Sequence, residues 1–390
     1  MTLRVGIVGV GARAGIGRWV GDAGVDARLV AAADVRPEAA DRARALFGAD
    51  VAFVTDLNDL VDLGIDAAIV TTPDDAHADA AELLLRAGVA VYLEKPLAIS
   101  VEDCDRILLA AYESGSRLYV GHNMRHMDVV RRLRQIVASG AIGEVRAVWC
   151  RHFVGNGGDY YFKDWHAERA RVGSLLLQKG AHDIDVIHWI AGAYSEQVVG
   201  MGDLMMYDKV TSRRDNSDRL LRDWFSFDNW PPEEQVDLNP IIDVEDISMI
   251  QMRLSNGVLA SYQQCHFTPD YWRNYTVIGT RGRAENFGDA DGGVVRVWNR
   301  RHDYQEQGDL EFPIVGDAAG HGEADQLTMT EFLRFVTDGG TTDTSPVAAR
   351  QAVATGITAA QSLREGSVPK TIAPLPPALQ HYFDNHQVSA

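Results

Sequence analysis

Short apolar runs alternate with segments of helical periodicity over the first 121 residues, and this alternation restricts the possible fold more than any other feature. Strands separated by helices at this spacing form a parallel sheet with helices on both faces, a doubly wound α/β domain of the Rossmann type. The predicted strands are residues 5–10, 27–33, 67–71, 90–93 and 118–121, and the predicted helices are residues 37–47, 57–63, 77–87 and 101–114.

A glycine-rich turn follows the first predicted strand, in the pattern Gly9-x-Gly11-x-x-Ala14. A turn without Cβ atoms lets the backbone approach a pyrophosphate, whose charge is met by the N–H groups of the next helix. The second predicted strand ends in Asp34, at the distance where a carboxylate accepts hydrogen bonds from an adenosine ribose. The sequence therefore predicts a dinucleotide site. Because Asp34 would repel a 2′-phosphate, NAD is favoured over NADP. Arg36, two residues later, leaves this preference open.

Polar residues follow three more of the predicted strands. Ligands bind doubly wound sheets at the carboxyl ends of the strands, so these residues are expected at the same edge as the glycine-rich turn. Pro96 favours an extended Lys95 and cannot continue the strand, so the lysine should emerge at this edge, where it could donate to or carry a proton from a substrate hydroxyl. The further residues predicted to bind the cofactor are Thr72, Pro73, His77, Glu94, Lys95 and Asn123.

A segment near the middle of the chain places polar groups on one side of a predicted helix. On a 3.6-residue period Gln178, His182 and Asp185 form one stripe with Lys179 at its edge, while three isoleucines face the other way. Burial of the isoleucines would hold an imidazole, an ammonium group and a carboxylate at a fixed surface. The alternative is a solvated face with an incidental histidine, and the lysine after the fourth strand favours a catalytic His182.

From residue 124 onward the pattern changes to longer β runs. Neighbouring strands after a helix favour a large, mostly antiparallel open sheet with helices on one face. The other face has to be covered, which predicts a homo-oligomer, either a dimer or a tetramer. The predicted domains are therefore 1–123, which binds the dinucleotide, and 124–390, an α/β domain for substrate binding and oligomerisation. The predicted strands of the second domain are residues 145–154, 197–206, 247–254, 258–267, 275–278 and 294–298.

Several polar and aromatic residues are candidates for substrate binding. Trp165 could stack on a sugar face while His166 hydrogen-bonds a hydroxyl, and His321 lies in a glycine-flanked loop before a helix. No metal site is predicted, because no carboxylate or cysteine cluster supports the helical spacing of His122 and His126. The polar excursion 207–243 could be a lid, an arm to a neighbouring subunit or a plain insertion. The predicted substrate-binding residues are Lys95, Arg125, Trp165, His166, Gln178, Lys179, His182, His266 and His321.

Composition excludes several classes of partner. A net charge of −18 argues against electrostatic binding to nucleic acid or to an anionic membrane, since both need clustered Lys and Arg. The three cysteines are far apart, which fits a reducing compartment. No signal segment or membrane-length apolar run is evident, so a cytoplasmic protein is expected.

The motifs occur in an order that resembles the Gfo/Idh/MocA oxidoreductases, the family of glucose-fructose oxidoreductase and inositol dehydrogenase. This resemblance implies a Rossmann domain followed by an α/β domain, and nicotinamide-dependent oxidation or reduction of sugars, cyclitols or their derivatives. It also implies that Lys95 and His182 flank the reacting carbon. The motifs are Gly9-x-Gly11-x-x-Ala14, Thr72-Pro73 with His77, Glu94-Lys95-Pro96, the Gly-Ala-Ile-Gly-Glu-Val segment at 140–145, and His182-x-x-Asp185.

One position departs from the family pattern. Family dehydrogenases often have an Asp four residues before the histidine, where this chain has Gln178, followed by Lys179, which could bind an anionic substrate group. We expect an NAD-dependent dehydrogenase that acts on a secondary alcohol of a sugar, cyclitol or glycoside. Gln cannot accept a proton, which leaves room for an alternative. This alternative is a glycoside-cleaving enzyme that retains NAD, oxidises the sugar transiently and cleaves the glycoside by elimination. A non-enzymatic sugar or NAD sensor is the third hypothesis, and the retained Lys95 and His182 count against it.

Overall fold

The structure is a computed structural model that describes residues 2–316 and 322–388, and these residues form two compact units. The first unit holds the described residues within 1–126, 321–353 and 374–390, and the second those within 127–320 and 354–373. The sequence predicts a single boundary after residue 123, whereas the chain returns to the first unit twice near its end. No helix in the described ranges combines the length and the apolar character needed to cross a membrane.

Strands and helices alternate over the first 120 residues, and a run of strands dominates residues 247–313. The strands are β1 (Leu3–Val8), β2 (Ala27–Ala33), β3 (Ala52–Val54), β4 (Ala67–Val70), β5 (Ala90–Leu93), β6 (Leu118–Val120), β7 (Val145–Phe153), β8 (Ser195–Asp203), β9 (Ile247–Leu254), β10 (Leu259–Cys265), β11 (Trp272–Gly279), β12 (Gly282–Phe287), β13 (Val294–Trp298), β14 (Leu310–Pro313) and β15 (Lys370–Thr371). The α-helices are α1 (Ala39–Phe47), α2 (Leu57–Asp62), α3 (His77–Arg86), α4 (Val101–Ser114), α5 (Asp128–Ala138), α6 (Gly157–Tyr161), α7 (Arg169–Val172), α8 (Leu175–Gln178), α9 (Gly180–Ala191), α10 (Gly322–Asp338), α11 (Pro346–Arg364) and α12 (Pro377–Asp384).

The first unit contains a six-stranded parallel sheet in the order β3-β2-β1-β4-β5-β6. Every residue of β4 and β5 is buried, as expected for strands covered on both faces, whose side chains read as continuous apolar runs. The predicted doubly wound fold is confirmed. β3 was not predicted, because three residues at a sheet edge leave almost no periodic signal.

Helix α10 completes the core of the first unit. Its Phe332, Leu333 and Met329 belong to the same buried cluster as Tyr92 and Tyr119 of β5 and β6. The Phe332 ring meets the Tyr92 ring edge-on at 5.6 Å. A segment more than 200 positions after the Rossmann strands is therefore part of their core, and it brings polar residues to the same region.

The second unit is built on a nine-stranded sheet in the order β14-β13-β12-β11-β7-β10-β9-β8-β15. All neighbouring pairs are antiparallel except β7 and β10, which confirms the predicted large, mostly antiparallel sheet. Buried and exposed residues alternate along β9, as expected for a sheet covered on one face. Helix α9 packs on the covered face, against β7 and β10.

The opposite face of this sheet exposes large apolar side chains. Trp149 and Leu259 are 51% and 50% exposed, and Met201 and Met249, which are register partners on β8 and β9, are 58% and 43% exposed. Apolar residues clustered on an open face favour an interaction surface. The predicted homo-oligomer stays a prediction.

Two further regions are less regular. The prolines of segment 369–377 predict that it lies along the surface, and most of its residues are exposed, while Ile372 and Leu375, at 5% and 7% exposure, anchor it. Lys370 and Thr371 pair with strand β8, and the Ile372 N–H donates to the Glu196 carbonyl oxygen at 2.9 Å. Pro374 has no N–H with which to continue the pairing. The excursion 207–243 folds back on its own unit, where Trp224 Nε1 donates to the Asp159 carbonyl oxygen at 2.9 Å.

Candidate active site

The glycine-rich turn of the first unit has two kinds of glycine. Gly9 has a φ of +86°, and a Cβ there would lie 2.8 Å from the backbone nitrogen of Thr72. The close approach of two strand ends therefore requires Gly9. A Cβ at Gly11 would meet nothing within 4 Å, so packing inside the protein does not require this glycine. The turn fits a pyrophosphate at Gly11, while the buried Ala14 packs in the core.

Asp34 is held firmly at the end of β2. Its Oδ2 accepts the Val10 N–H at 2.8 Å, and its Oδ1 accepts the Arg36 N–H at 3.0 Å. The Arg36 guanidinium donates to both oxygens, at 3.1 and 3.2 Å. Burial alone would raise the pKa of Asp34, but the Arg36 and Val10 hydrogen bonds lower it overall. Asp34 is thus ionised and oriented, and Arg36 lies directly on the carboxylate that would bind the ribose.

A four-residue network connects the glycine-rich turn with the Glu-Lys-Pro segment. Arg13, within the turn, donates to Glu94 Oε1 through Nη2 at 2.6 Å and through Nε at 3.0 Å. It also donates through Nη1 to Asp325 Oδ2 at 2.8 Å, and Asn123 Nδ2 donates to Asp325 Oδ1 at 2.8 Å. The other Glu94 oxygen accepts the backbone N–H of Lys95 at 3.2 Å. This network fixes the start of the lysine segment. Arg13 and Asp325 were not predicted as site residues.

The edge of the first sheet also has unsatisfied polar atoms. Thr72 Oγ1 and Asn123 Oδ1 are buried, and neither has a hydrogen-bond partner among the described residues. His77 joins two of the loops, since its ring nitrogens lie 2.7 Å from the Pro96 carbonyl oxygen and 3.1 Å from that of Thr72. Lys95 is partly buried beside them. Because buried polar groups are normally paired, Thr72 and Asn123 fit a polar ligand such as a dinucleotide at this edge.

Arg125 and His126 have contacts of a different kind. Arg125, predicted to bind substrate, is 5% exposed, and its Nη1 donates to the Asp343 carbonyl oxygen at 2.6 Å, which ties the chain inside the first unit. His126 Nε2 lies 3.3 Å from Glu331 Oε2, and with Asp343 these residues form a group of possible metal ligands that the sequence did not suggest. Glu331 already accepts hydrogen bonds from the Tyr119 hydroxyl and the Asp343 N–H, both at 2.7 Å. These bonds give the group a structural role.

The polar stripe of the second unit differs from the prediction. The expected single helix is interrupted at Lys179, between the end of α8 at Gln178 and the start of α9 at Gly180. A Cβ at Gly180 would lie 3.1 Å from the Tyr262 ring, so α9 begins in close contact with the sheet. His182 and Asp185 are 4% and 1% exposed. The expectation of a polar helix face at a surface is therefore wrong, since both sides of α9 are packed.

Asp183, which the sequence did not single out, is the centre of a buried charge network. Its Oδ1 lies 3.1 Å from Arg273 Nε and accepts the Tyr275 hydroxyl, and its Oδ2 lies 3.1 Å from His152 Nδ1. Burial would raise the pKa of Asp183, but the Arg273 charge and the His152 contact hold it below the usual range. The network attaches the residue after His182 to strands β7 and β11. It fixes the position of α9 on the sheet.

An aromatic group gathers most of the other predicted substrate residues. The Tyr161 ring lies 5.6 Å from the His166 ring and 5.2 Å from the His266 ring, and Lys179 Nζ lies 5.9 Å from its centroid. The His166 ring stacks on Trp165 at 3.8 Å. Tyr161 of α6 therefore links residues of the following turn, the residue after β10 and the break before α9. In the sequence, the Tyr-Tyr pair before Trp165 was the feature that could have indicated this aromatic group. The predicted residue His321 lies outside the described residues.

Two buried histidines of the second unit should make the protein sensitive to acid. Burial lowers the pKa of His152 and of His266 from 6.5 to about 3. Between these values the unfolded chain binds protons that the folded protein does not, so stability falls as pH falls below 6.5. Each histidine contributes about 1.4 kcal/mol per pH unit, or roughly 2 kcal/mol between pH 6.5 and 5. Urea unfolding across this range measures the slope.

Histidine variants separate this effect from general acid sensitivity. We expect His266→Asn to reduce the slope between pH 5 and 6.5 by about 1.4 kcal/mol per pH unit, the value for one proton. His381→Asn, at an exposed position of α12, is the control and should leave the slope unchanged. Equal slopes in the wild type and His266→Asn would contradict the prediction.

Comparison with known proteins identifies both parts of the chain. Residues 3–122 match the family described as "Oxidoreductase family, NAD-binding Rossmann fold", and residues 130–285 match the "GFO/IDH/MocA C-terminal domain". An inositol 2-dehydrogenase of Rhizobium meliloti is 30% identical over 222 residues, which are 54% of this chain and 64% of the relative. A 1-carboxy-3-chloro-3,4-dihydroxycyclo hexa-1,5-diene dehydrogenase of Comamonas testosteroni is 30% identical over 42% of this chain and 41% of the relative. These matches span less than two thirds of the relatives' own lengths.

Solved structures of similar fold cover nearly the whole chain. A levoglucosan dehydrogenase in complex with NADH and levoglucosan has a TM-score of 0.79 at 18% identity, over 96% of this chain and all of that one, 100%. A myo-inositol 2-dehydrogenase from Lactobacillus plantarum has a TM-score of 0.74 at 20% identity, over 96% and 100% of the two chains. At this level of identity the likeness shows the fold.

Proposed function

Because the chain belongs to the Gfo/Idh/MocA oxidoreductase family, we propose that it is a dehydrogenase that transfers a hydride between NAD and a secondary alcohol of a sugar, cyclitol or glycoside. One observation carries the proposal more than any other. Arg13 of the dinucleotide turn holds Glu94, and Glu94 holds the backbone of Lys95, so a potential proton-transfer group is fixed to the cofactor-binding edge.

The chemistry divides between the cofactor and the chain. NAD, when bound, supplies the hydride acceptor. Asp34, Gly11 and the polar atoms of Thr72 and Asn123 are the groups that we assign to holding it. Lys95 and His182 then manage the proton of the reacting hydroxyl, which has to leave as the carbinol C–H bond breaks. Gln178 cannot take this proton, so the task falls on these two residues.

The class of substrate rests on the relatives and on the aromatic group around Tyr161. The names of the relatives, inositol 2-dehydrogenase and levoglucosan dehydrogenase, belong to enzymes of cyclic polyols. Trp165 and His166 stack face to face, and a ring with C–H faces and hydroxyl groups suits such a pair. Lys179 adds a cation over Tyr161, which favours a hydroxyl or an anionic substituent. We therefore assign Trp165, His166, Lys179 and His266 to the substrate side of the site.

A panel of substrates tests the proposal. Purified protein is incubated with NAD or NADP and with cyclitols, free sugars and glycosides, while NADH formation and substrate loss are followed together. We expect at least one polyol to give an oxidised product and NADH in equal amounts. Absence of NADH formation and of substrate loss across the panel would contradict an enzymatic function and leave a sensor.

Gln178 supports a second candidate, a glycoside-cleaving enzyme that retains its NAD. A carboxylate is replaced at a buried position, 6% exposed, one turn before His182, which weakens a simple dehydrogenase mechanism. In such a reaction transient oxidation would acidify the neighbouring C–H, elimination would expel the aglycone, water would add to the resulting double bond, and the hydride would return to the ketone carbon. Loss of a glycoside without net NADH formation in the same panel would identify this reaction.

Cofactor preference provides a separate prediction. Asp34→Ser removes the carboxylate that repels a 2′-phosphate and releases Arg36 to bind one. We expect the ratio of kcat/KM for NAD to kcat/KM for NADP to fall by about 10- to 100-fold, the scale of one or two hydrogen bonds to a charged group. Asp50→Ser, at an exposed position of the same unit, is the control. An unchanged ratio in Asp34→Ser would show that Asp34 does not select the cofactor.

A further inference from the structure

A cavity of about 180 Å³ lies in the second unit, between the region of α6 and the excursion 207–243. None of the residues assigned to catalysis or substrate binding lines it. Proline and glycine form part of its wall, and the remaining lining groups are aromatic or uncharged polar side chains with a single carboxylate. The lining includes Gly158, Asp159, Tyr207, Phe227, Trp230 and Gln235.

Aromatic rings stand at this cavity on the solvent side. Phe227 and Trp230 are 79% and 43% exposed, although both are large and apolar. Exposed aromatic side chains beside a pocket are suited to the C–H faces of a ring-shaped polar ligand, because they offer a flat apolar surface that stays wettable at its edge.

The charge of the cavity is already neutralised by the protein. Asp159 Oδ1 lies 3.0 Å from Lys163 Nζ and accepts the Asn229 Nδ2–H at 2.8 Å. Both charged side chains are almost wholly buried, at 1% and 2% exposure. An anionic ligand would meet the carboxylate, and a cationic ligand would compete with Lys163. The site therefore favours a neutral ligand.

One polar atom of the cavity wall lacks a partner. Gln235 is 5% exposed, and its Nε2 donates to the Asn229 carbonyl oxygen at 3.0 Å. Its Oε1 is buried and has no hydrogen-bond partner in the ranges 2–316 and 322–388. A Cβ at Gly158 would lie 2.9 Å from both Gln235 Nε2 and the Tyr207 hydroxyl, so the glycine permits this arrangement of the wall. A buried acceptor of this kind is suited to a hydroxyl donor.

We propose that this cavity is a subsite for one neutral polyhydroxylated ring, a pyranose or a cyclitol, with a ring hydroxyl donating to Gln235 Oε1 and the ring packing on Trp230. The volume is below the range of about 300–1,000 Å³ that is usual for drug-sized ligands, which restricts the occupant to a single ring. The proposal rests on the proposed function in naming the source of the ring, which is the distal unit of a glycoside substrate.

Direct contacts connect the cavity to the residues around the catalytic helix. The Tyr207 hydroxyl, on the cavity wall, donates to the His266 carbonyl oxygen at 2.7 Å. The His266 ring lies against Tyr161, which is also the ring beneath Lys179 Nζ. The residue after Lys179 begins α9, which carries His182. These contacts couple the cavity wall to the residues beside α9, and with one ring of the substrate at each place the preferred substrate class is a glycoside.

Calorimetric titration with cellobiose and with methyl β-D-glucopyranoside tests the subsite without any turnover. We expect Gln235→Leu to weaken binding of cellobiose about tenfold, the value of one hydrogen bond, while Gln361→Leu, at an exposed position of α11, leaves it unchanged. If the ring is the distal unit of a substrate, binding of methyl β-D-glucopyranoside changes little in Gln235→Leu. If the ring belongs to a separate small molecule, the affinity for methyl β-D-glucopyranoside also falls tenfold in Gln235→Leu. Either pattern supports the subsite.

Trp230→Ala tests the subsite without disturbing the fold, because this side chain is half exposed and its loss should leave the melting temperature unchanged. We expect it to weaken cellobiose binding as Gln235→Leu does. Wild-type affinity in both variants, or no saturable binding of either probe by the wild type, overturns the proposal. It is also overturned if Phe227→Ala and Trp230→Ala change only the mass of the assembly in solution, since the aromatic rings would then be a subunit contact. Absence of hydride transfer would defeat the proposed function but leave this binding result intact.

Discussion

Lys95→Ala is expected to lower kcat/KM for the best polyol substrate by about 100- to 10,000-fold, the range for loss of a positioned proton-transfer group. His182→Ala should cause a loss of similar size. If both residues serve one proton, as proposed, the double variant should lose little more than either single variant. Steady-state kinetics with NAD and the substrate found in the panel measure all three effects.

The controls distinguish chemistry from charge and from folding. Lys95→Arg keeps the positive charge but not a proton that can be transferred near neutral pH, so it should remain impaired. Lys209→Ala, at an exposed position, should keep full activity. Near-normal turnover in Lys95→Ala would refute the assigned role of the lysine. Fluorescence titration should show that Lys95→Ala still binds NADH, since Asp34 and Gly11 are unchanged.

The largest effect on stability is expected at Asp183. Asp183→Asn leaves the Arg273 guanidinium, which is 3% exposed, without its nearest carboxylate. Asp289 Oδ2 remains 3.6 Å from Arg273 Nη1 as a more distant partner. Breaking a buried ion pair costs about 3–5 kcal/mol, so the free energy of unfolding should fall by about 3 kcal/mol. Urea denaturation at pH 7.5 measures the loss. Asp208→Asn, an exposed site in the same unit, is the control and should change the free energy by less than about 0.5 kcal/mol.

A double variant shows whether the charge is the cause. Asp183→Leu combined with Arg273→Met removes both charges and should be less destabilised than Asp183→Asn alone. If the double variant is instead destabilised by the sum of the two single effects, the residues are not coupled and the buried network does not hold α9. The same variants should show a higher KM and a lower kcat only if loss of the network displaces His182.

Local sequence was sufficient for much of the first unit. β2 (Ala27–Ala33), β5 (Ala90–Leu93) and α4 (Val101–Ser114) have the predicted bounds, because buried parallel strands and a capped helix leave strong local signals. Ser100 shows the helix signal directly, as its side chain accepts the N–H of Asp103 at 3.0 Å. The glycine spacing and Asp34 could be interpreted in the same way, since the motif has a local physical cause.

Contacts between distant parts of the sequence were beyond this kind of prediction. Arg13 and Asp325 are separated by 312 positions, and no periodicity connects them. Asp183 likewise binds residues from β7 and β11, so its importance depends on the sheet topology. The polar stripe around His182 could be predicted as chemically unusual, but its burial could not, because the other side of the helix is covered by elements that pair only in the folded chain.

Transfer of a labelled hydride tests the central claim most directly. The best substrate of the panel is deuterated at its secondary carbinol carbons and incubated with the protein and NAD, and the nicotinamide product is analysed by mass spectrometry and NMR. We expect one deuterium per NADH, at C4 of the nicotinamide ring, and a rate of transfer that falls at least about 100-fold in Lys95→Ala. NADH without the label, or the same rate of transfer in Lys95→Ala as in the wild type, would contradict direct hydride transfer assisted by this lysine.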